Sequence, residues 1–327
     1  MSIPEINEKN VNLWSKLGPR AVYGQALLSL FSDNTEIIAL SADMGNSSGL
    51  ERLGKTYPDR YLDTGIAEQN MIGVAAGLAK EGFTVFASSF APFITMRACE
   101  QIRMNLGYMQ MNVKAVGIGS GLSMGFLGNS HFGLEDVAIV SSIPGIQIVS
   151  PADCVEIFQA VYAIARSNRP TYLRLTGSPG LQPIYRSNYD FELGKAITMK
   201  QGGDFGIVSS GSMVAQSLEA SNTLENDGVS CSVTNFHTIR PIDVEMLLQI
   251  SRNSKAIFVV EEHFDSGGLC TSVMEVLMKS GVSTPIYPIG IQHKFDITGD
   301  YDFLLEYHGL SVDGIVRRIK ARIGEFD

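Results

Sequence analysis

Long apolar runs, clustered cysteines and basic stretches are all missing from this sequence. No run reaches the roughly 18 apolar residues of a membrane-spanning helix, and the opening MSIPEINEKN has no apolar segment of signal-peptide length. The four cysteines, Cys99, Cys154, Cys231 and Cys270, stand far apart and form no C-x-x-C pair. We interpret them as reduced, buried residues of a cytoplasmic protein rather than as disulfides.

Basic charge is scarce as well. Lys and Arg number 25 against 34 Asp and Glu, which gives a net charge of −9. A surface of this sign repels nucleic acid and anionic membranes, so we expect neither as a partner. Apolar residues, in contrast, make up 45% of the 327 residues. That content fills about two domain cores without metal or disulfide cross-links.

Short β-branched runs alternate with longer segments of helical periodicity. The predicted strands cover residues 36–42, 83–87, 112–118, 146–150, 171–175, 205–209, 229–235 and 256–260. The predicted helices cover residues 20–31, 68–80, 93–106, 153–166, 212–226, 243–252, 267–280 and 311–323. This alternation is typical of α/β domains whose parallel sheets are covered on both faces.

A stretch rich in Gly and Pro interrupts the alternation between Thr176 and Tyr189. It has no hydrophobic periodicity, which indicates a linker. We therefore predict two α/β domains. The first has a parallel sheet and spans residues 1–182, and the second is smaller, has a mixed sheet and spans residues 183–327.

Glu68 lies in the first turn of the helix predicted over residues 68–80. Small and apolar residues occur on every side of this helix, so we expect it to be buried all round. With Thr64 as the cap, a capping box would place its acid at Ala67, so Glu68 is out of register. A carboxylate in apolar surroundings is costly unless a partner holds it. On this segment alone, a helix-dipole role and a chemical role both stay open.

Two further segments contribute aromatic and imidazole groups. Phe90 and Phe93 stand at the end of a predicted strand, beside Pro92. Such residues usually pack in the core, but they can also form a flat wall for an aromatic ligand. His131 follows in a Gly-rich loop ahead of a helix, where a surface position and a functional one both stay open.

Six motifs occur together along the chain. DTGIAEQNMIGVAAGLA, FASSFAPFITMRACEQIR, SHFGLEDVAIV and VSPAD have the order and spacing of the pyrimidine-binding domain of the transketolase family. HTIRPID and VVEEHFDSGGL resemble that family's C-terminal domain, so the resemblance covers nearly the whole chain. It implies a pyrimidine-binding domain followed by a smaller C-terminal-like α/β domain. It also implies transfer of a two-carbon ketol unit from a ketose to an aldehyde.

The resemblance implies thiamine diphosphate as cofactor, an electron sink that the protein binds and orients. Glu68 matches the residue that hydrogen-bonds N1′ of its aminopyrimidine, and Phe90 and Phe93 match residues that stack on this ring. Asp43 matches an acid near the thiazolium. His131 matches a histidine that contacts the substrate near its reacting carbon. Glu68 and His131 are therefore the candidate catalytic residues.

The substrate-binding positions depart from the family pattern. Arg20 and Ser47 match two residues that bind a terminal sugar phosphate. Gly119 and Gly177, however, stand where the family has a His and an Arg.

Phe126 and Leu127 replace an acidic pair, so Leu127 is a candidate substrate contact of apolar character. The loss of these charge-assisted hydrogen bonds predicts a non-standard sugar, whether unphosphorylated, deoxygenated or otherwise modified. Arg174 is a candidate replacement for the lost cation.

Metal ligands are also missing. Full-length members of the family hold Mg²⁺ and the diphosphate in a preceding domain, through a Gly-Asp-Gly motif and a downstream Asn. Gly202-Gly-Asp204 lies in the second predicted domain without that Asn, and Mg²⁺ requires such oxygen ligands. The resemblance therefore implies a separate N-terminal subunit that supplies these contacts. It also implies a homodimer of this chain within an α2β2 heterotetramer.

Other functions are either disfavoured by the sequence or stay open. A dinucleotide-binding oxidoreductase is disfavoured, because neither register of Gly117-Ile-Gly119-Ser-Gly121 continues into G-x-G-x-x-G. A catalytically idle regulatory member of the fold stays open, as does a pyruvate-using synthase or the β subunit of a 2-oxoacid dehydrogenase. HTIRPID and the short loop around His131 favour the transketolase branch. The remaining histidines show no metal-ligand spacing, so no metal is assigned to this chain.

Overall fold

Two β-sheets, each flanked by helices, organise the computed structural model, which describes residues 3 and 5–325. The strands are β1 Ile37–Ser41, β2 Tyr61–Asp63, β3 Thr84–Phe90, β4 Val113–Ile118, β5 Gln147–Val149, β6 Thr171–Arg174, β7 Ile197–Lys200, β8 Phe205–Ser209, β9 Cys231–Asn235, β10 Thr238–Arg240, β11 Ala256–Phe264 and β12 Ile286–Ile291. The helices are α1 Glu8–Leu17, α2 Pro19–Asp33, α3 Glu51–Thr56, α4 Glu68–Lys80, α5 Cys99–Ile102, α6 Asp136–Ser141, α7 Cys154–Arg166, α8 Met213–Asn226, α9 Val244–Arg252, α10 Leu269–Lys279, α11 Tyr301–Tyr307 and α12 Val312–Ile323.

The first sheet has the order β10-β5-β6-β4-β3-β1-β2. Its strands pair in parallel except β10, which pairs antiparallel with β5 and comes from the second half of the chain. The second sheet has the order β12-β11-β8-β9-β7 and is mixed, because β7 runs antiparallel to β9. The predicted α/β class with two sheet domains is confirmed. The prediction of a purely parallel first sheet needs one correction, the borrowed edge strand β10.

Every predicted strand is present, and the strands that prediction missed are mostly short. Strands β2 and β10 are three residues long and β7 is four, too short to show a period. Strand β12 contains Pro288 and Gly290, which favour turns in a sequence reading. The helix predicted over residues 93–106 is instead two π-helical turns, Phe93–Arg97 and Arg103–Tyr108, on either side of α5.

Helix α4 differs from its prediction in two ways. One face, which includes Gly73 and Gly77, is exposed, because no other element of the described chain packs against it; the expectation of burial on every side is wrong. The cap is Ala67, without a side-chain hydrogen bond. Thr64 instead donates its hydroxyl to the carbonyl of Ser41, at 3.1 Å. Glu68 is thus the first residue of the helix.

A buried ion pair lies between the two sheets. Arg174, at the end of β6, and Asp136, at the start of α6, are 2.8 Å apart, and both side chains are almost fully buried. Tyr172 donates its hydroxyl to the same carboxylate. Burial, the largest single influence, would raise the pKa of Asp136, but the charges of Arg174 and His263 and the hydrogen bonds from Arg174 and Tyr172 together hold that pKa below its ordinary value.

The same arginine reaches the second domain. Its Nη2 donates to the carbonyls of Gly133 and Glu262, at 3.1 and 2.8 Å. The side chain of Glu262 in turn accepts from the backbone N–H of Leu122, at 2.6 Å. Gly121, with φ of +68°, leaves room for this contact, since a Cβ there would lie 2.2 Å from Glu262 Oε1. The loop after β4 is therefore fastened to the second domain.

The predicted linker is also docked rather than loose. Asp153 caps α7 by accepting from the N–H of Glu156, and its other oxygen accepts from the N–H groups of Ile184 and Tyr185. Burial raises the pKa of Asp153 to about 7. Tyr189 donates its hydroxyl to Glu156, at 2.5 Å. These contacts hold the chain between the two sheets against α7.

Breaking the buried ion pair should cost more stability than breaking an exposed one. Arg174→Met leaves the Asp136 carboxylate buried without its cation, so we expect the free energy of unfolding to fall by about 3–5 kcal/mol. Urea denaturation followed by circular dichroism measures the loss. The control is Glu275→Gln, which removes an exposed pair with Lys279 and should leave the midpoint unchanged. Equal midpoints for the two variants would contradict this role of the pair.

Candidate active site

The candidate site residues gather at the carboxyl ends of the parallel strands of the first sheet. Asp43 follows β1, Phe90 ends β3 and Gly119 follows β4. These strands are hydrogen-bonded neighbours, so their ends meet at one edge. Ligands of open α/β sheets bind at this edge.

Glu68 is nearly inaccessible, with 2% of its surface exposed. Its place at the first position of α4 lets the helix dipole favour its negative charge. Ser89, near the end of β3, donates its hydroxyl to Oε1 at 3.3 Å. Arg97 donates from Nη1 to Oε2 at 2.7 Å. The carboxylate is therefore held from two elements and keeps further acceptor capacity.

An aromatic cluster of two phenylalanines and one histidine lies beside Arg97, the residue that pairs with Glu68. The ring centroids of Phe90 and Phe93 are 6.0 Å apart, and His131 lies 5.4 Å from the first and 5.1 Å from the second. The Arg97 guanidinium lies 4.5 Å from the Phe93 centroid. The structure thus brings together four residues that sequence reasoning selected, Glu68, Phe90, Phe93 and His131. Arg97 was not selected.

His131 has the environment of a neutral imidazole. Burial lowers its pKa from the ordinary value, since the rings on one side displace water. Its Nδ1 hydrogen-bonds the hydroxyl of Ser130 at 2.9 Å, which leaves Nε2 for a substrate. At neutral pH the ring can accept or donate one hydrogen bond without carrying a charge.

Asp43 has a strained backbone, with φ of +57°, which is uncommon outside glycine. Its N–H donates to Asp63 Oδ1 at 3.0 Å, and the N–H of Gly65 donates to the same atom at 2.9 Å. Asp63 also accepts from the hydroxyl of Ser41, at 2.9 Å. Asp63 therefore ties the turn after β1 to the loop that leads into Glu68. Asp63 is the first residue of the motif DTGIAEQNMIGVAAGLA, but the sequence alone indicated no role for it.

Arg20 and Ser47 also lie together. Arg20 donates from Nη1 to the Ser47 carbonyl at 3.2 Å, and both line a cavity of about 320 Å³ together with Asn46. Arg20 lines a second and smaller cavity beside Gly119 and Gly177. Two of the positions at which this sequence departs from the family pattern, Gly119 and Gly177, thus line the same small cavity as Arg20.

Apolar side chains fill the space that larger residues would occupy at those two glycines. A Cβ on Gly119 would lie 2.7 Å from Met124 Cγ, and one on Gly177 would lie 3.2 Å from the methyl groups of Leu181. The apolar side chains of Met124 and Leu181 are therefore the nearest neighbours of the two glycines.

Leu127 and Phe126 lie in the 3-10 segment Gly125–Ser130, which is kinked at Gly128 and comes directly before His131. Their side chains are exposed, by 39% and 70%, so they present apolar surface on the segment that precedes the histidine. Arg174, considered as a replacement cation, is fully committed to the buried ion pair. That suggestion is wrong, because the side chain points into the domain interface.

The structure also bears on metals, thiols and membranes. Over residues 3 and 5–325, no three His, Cys, Asp or Glu side chains converge on a point where a metal ion could be held. All four cysteines are free; Cys154, Cys231 and Cys270 are buried, as predicted, whereas Cys99 is only partly buried. No helix in the described ranges is long and apolar enough to cross a membrane.

Two family models match the chain. The model described as transketolase, pyrimidine binding domain, matches residues 15–178, and the model described as transketolase, C-terminal domain, matches residues 194–315.

Individual proteins are similar over nearly the whole chain. The putative transketolase C-terminal section of Methanocaldococcus jannaschii is 36% identical over 304 residues, which is 92% of this chain and 95% of that protein. The 6-deoxy-6-sulfo-D-fructose transketolase subunit SqwH of Clostridium sp. is 36% identical, over 91% and 92% of the two chains. A solved structure described as a split gene transketolase, inactive beta4 tetramer, is 34% identical and has a TM-score of 0.83, over 93% of this chain and 97% of that one.

The environment of His131 can be tested by titration. Burial by the aromatic cluster lowers the pKa of His131. We therefore expect its imidazole to titrate below 6.5 in NMR spectra of the free chain. Phe93→Ala should admit water and raise the pKa toward the ordinary value. The control is Phe126→Ala, which removes an exposed ring and should leave the titration unchanged. A midpoint that does not respond to Phe93→Ala would contradict the assigned cause.

Proposed function

Because the chain belongs to the transketolase family, as its pyrimidine-binding and C-terminal section, we propose that it works as one subunit of a split, thiamine-diphosphate-dependent transferase. The enzyme moves a two-carbon ketol group from a ketose to an aldehyde. The observation that carries this proposal is the buried carboxylate of Glu68, linked through Arg97 to the ring pair of Phe90 and Phe93. The two domains are proposed to span residues 1–182 and 183–327.

The residues present suit the cofactor's aminopyrimidine. That ring has a flat face and a nitrogen, N1′, that can share a proton. Phe90 and Phe93, whose rings are nearly perpendicular, offer an aromatic face on which the ring can stack. The carboxylate of Glu68, in a nearly water-free position, can share the proton of the nitrogen. When bound, thiamine diphosphate supplies the electron sink for breaking a carbon–carbon bond beside a carbonyl.

The chain's own groups then have distinct roles. Glu68 holds the proton at N1′, and the phenylalanines orient the ring and exclude water. Asp43, held in its turn by Asp63, would face the thiazolium of the bound cofactor. His131, kept neutral by burial, contacts the substrate oxygen near the reacting carbon and moves a proton through Nε2.

A second kind of subunit completes the site in this proposal. Two relatives that match more than nine-tenths of this chain are named as a C-terminal section and as a subunit. A similar solved structure is described as a split gene transketolase, inactive beta4 tetramer. These descriptions support an N-terminal subunit that holds Mg²⁺ and the diphosphate. We propose an α2β2 heterotetramer built around a homodimer of this chain. The free cysteines support a cytoplasmic location.

The proposed sugar is not the standard phosphorylated pentose. Gly119 and Gly177, backed by Met124 and Leu181, give Arg20 no second charged partner in its cavity. Leu127 adds apolar surface near His131. One relative is named for a sulfonated, 6-deoxygenated fructose, which supports a modified sugar for this chain as well.

The role of Glu68 is tested by proton exchange at cofactor C2. In the assembled enzyme we expect Glu68→Gln to fold and assemble but to slow this exchange by about 10²–10⁴-fold, since the amide cannot take up the proton. The exchange is followed by NMR after dilution into D₂O. Glu100→Gln, at an exposed carboxylate on α5, is the control. Unchanged exchange in Glu68→Gln would remove Glu68 from the mechanism.

The substrate class is tested with a panel of sugars. The assembled pair is assayed with xylulose 5-phosphate and ribose 5-phosphate and with unphosphorylated, deoxygenated and sulfonated sugars. We expect kcat/KM for the standard phosphorylated pair to lie at least about 100-fold below that for the best modified sugar, because Gly119 and Gly177 replace two of the family's polar substrate ligands. Efficient turnover of the standard pair would refute this substrate class. Pyruvate is included as a donor, and its preferential use would favour a synthase instead.

A further inference from the structure

Arg97 is the residue nearest the proposed chemistry to which no role has been given. It ends the π-helical turn Phe93–Arg97, and π-helical turns are frequent at functional sites. Its guanidinium touches two proposed cofactor-binding groups at once. It donates to Glu68 at 2.7 Å and lies 4.5 Å from the centre of the Phe93 ring.

The burial of the two partners is very unequal. The Glu68 side chain is 2% exposed, whereas that of Arg97 is 46% exposed. Arg97 therefore reaches from the surface over the Phe93 ring and covers the carboxylate. An arginine over an aromatic face is attracted by the ring, so Phe93 holds the guanidinium in the direction of Glu68.

A carboxylate this deeply buried is costly unless a positive partner compensates its lost hydration. The hydroxyl of Ser89, at 3.3 Å, is neutral and distant, and it cannot provide the charge. Arg97 provides it through a single short hydrogen bond to Oε2. Because an ionised carboxylate accepts about four hydrogen bonds, Glu68 retains acceptor capacity for a ligand N–H. A protonated Glu68 would instead donate from one oxygen.

We propose that Arg97 is a positioning residue, which compensates the buried Glu68 carboxylate and fixes the orientation in which it shares a proton with the ring nitrogen of the cofactor. The proposal rests on the proposed function for the identity of the ligand. Arg97 acts through Glu68 and does not bind the sugar. The π-helical turn places Phe93 and Arg97 together, so one short segment provides both a ring of the aromatic cluster and the cation that pairs with Glu68.

The first test uses the free full-length chain without cofactor. Melting temperatures are measured for Arg97→Gln, Glu68→Gln and the double variant. We expect Arg97→Gln to lower Tm by about 2–4 °C in the wild-type background. In the Glu68→Gln background it should cause almost no further loss, because no buried charge remains to be paired. Arg103→Gln, at an exposed arginine of the neighbouring π-helical turn, is the control and should not change Tm in either background.

The second test uses the assembled enzyme with thiamine diphosphate and Mg²⁺. We expect Arg97→Gln to slow C2 proton exchange by about 10-fold to 100-fold, the equivalent of one charge-assisted hydrogen bond. Arg97→Lys should restore exchange to within about 5-fold, since a single donor is needed and not a bidentate fork. The double variant should be no slower than Glu68→Gln alone. The KM for the sugar should stay unchanged.

Several results would overturn the proposal. An equal loss of Tm for Arg97→Gln in both backgrounds would show that the arginine does not act through Glu68. A raised sugar KM with unchanged C2 exchange would make Arg97 a substrate-binding residue. If wild-type enzyme shows no C2 exchange with cofactor and partner present, the proposed function fails, and the melting data still decide whether the two side chains are coupled.

Discussion

The buried pairing of Arg174 with Asp136 is the contact on which the rest of the structure depends. It joins the end of β6 to the start of α6, and through the Glu262 carbonyl it joins the first sheet to β11. The same guanidinium holds the Gly133 carbonyl. Gly133 and Gly121 exchange two backbone hydrogen bonds, so the segment between them is a closed loop. His131 lies on that loop, and its position is therefore set by the second domain as well as by the first.

Sequence reasoning found those parts of the site that depend on residue type and order. The sequence motifs contain Glu68, Phe90, Phe93 and His131. The structure brings these four residues together. Arg97 lies in one of the same motifs but was passed over, because a π-helical turn has no periodicity that the sequence reveals. Arg174 was misjudged for a related reason. All of β6 is buried, so alternation along the strand does not indicate which face a side chain takes.

The substrate end of the site shows how a binding surface changes when polar groups are removed together. The glycines at positions 119 and 177 leave no empty space beside them, because the side chains of Met124 and Leu181 occupy that volume. Restoring a charged residue at either position would require these side chains to move as well. A change of substrate in such a pocket therefore needs several coordinated substitutions, and a single substitution would be expected to produce a clash.

Strand β10 gives the two domains a dependence that their sequences do not show. It belongs by position to the second half of the chain, yet it completes the first sheet by pairing with β5. A fragment that ended at the linker would expose the edge of β5, and open strand edges recruit other strands and promote aggregation. Gene fusions or shuffled modules that separate the two halves would thus inherit an incomplete sheet. The unit that can be moved intact between proteins is the pair of domains.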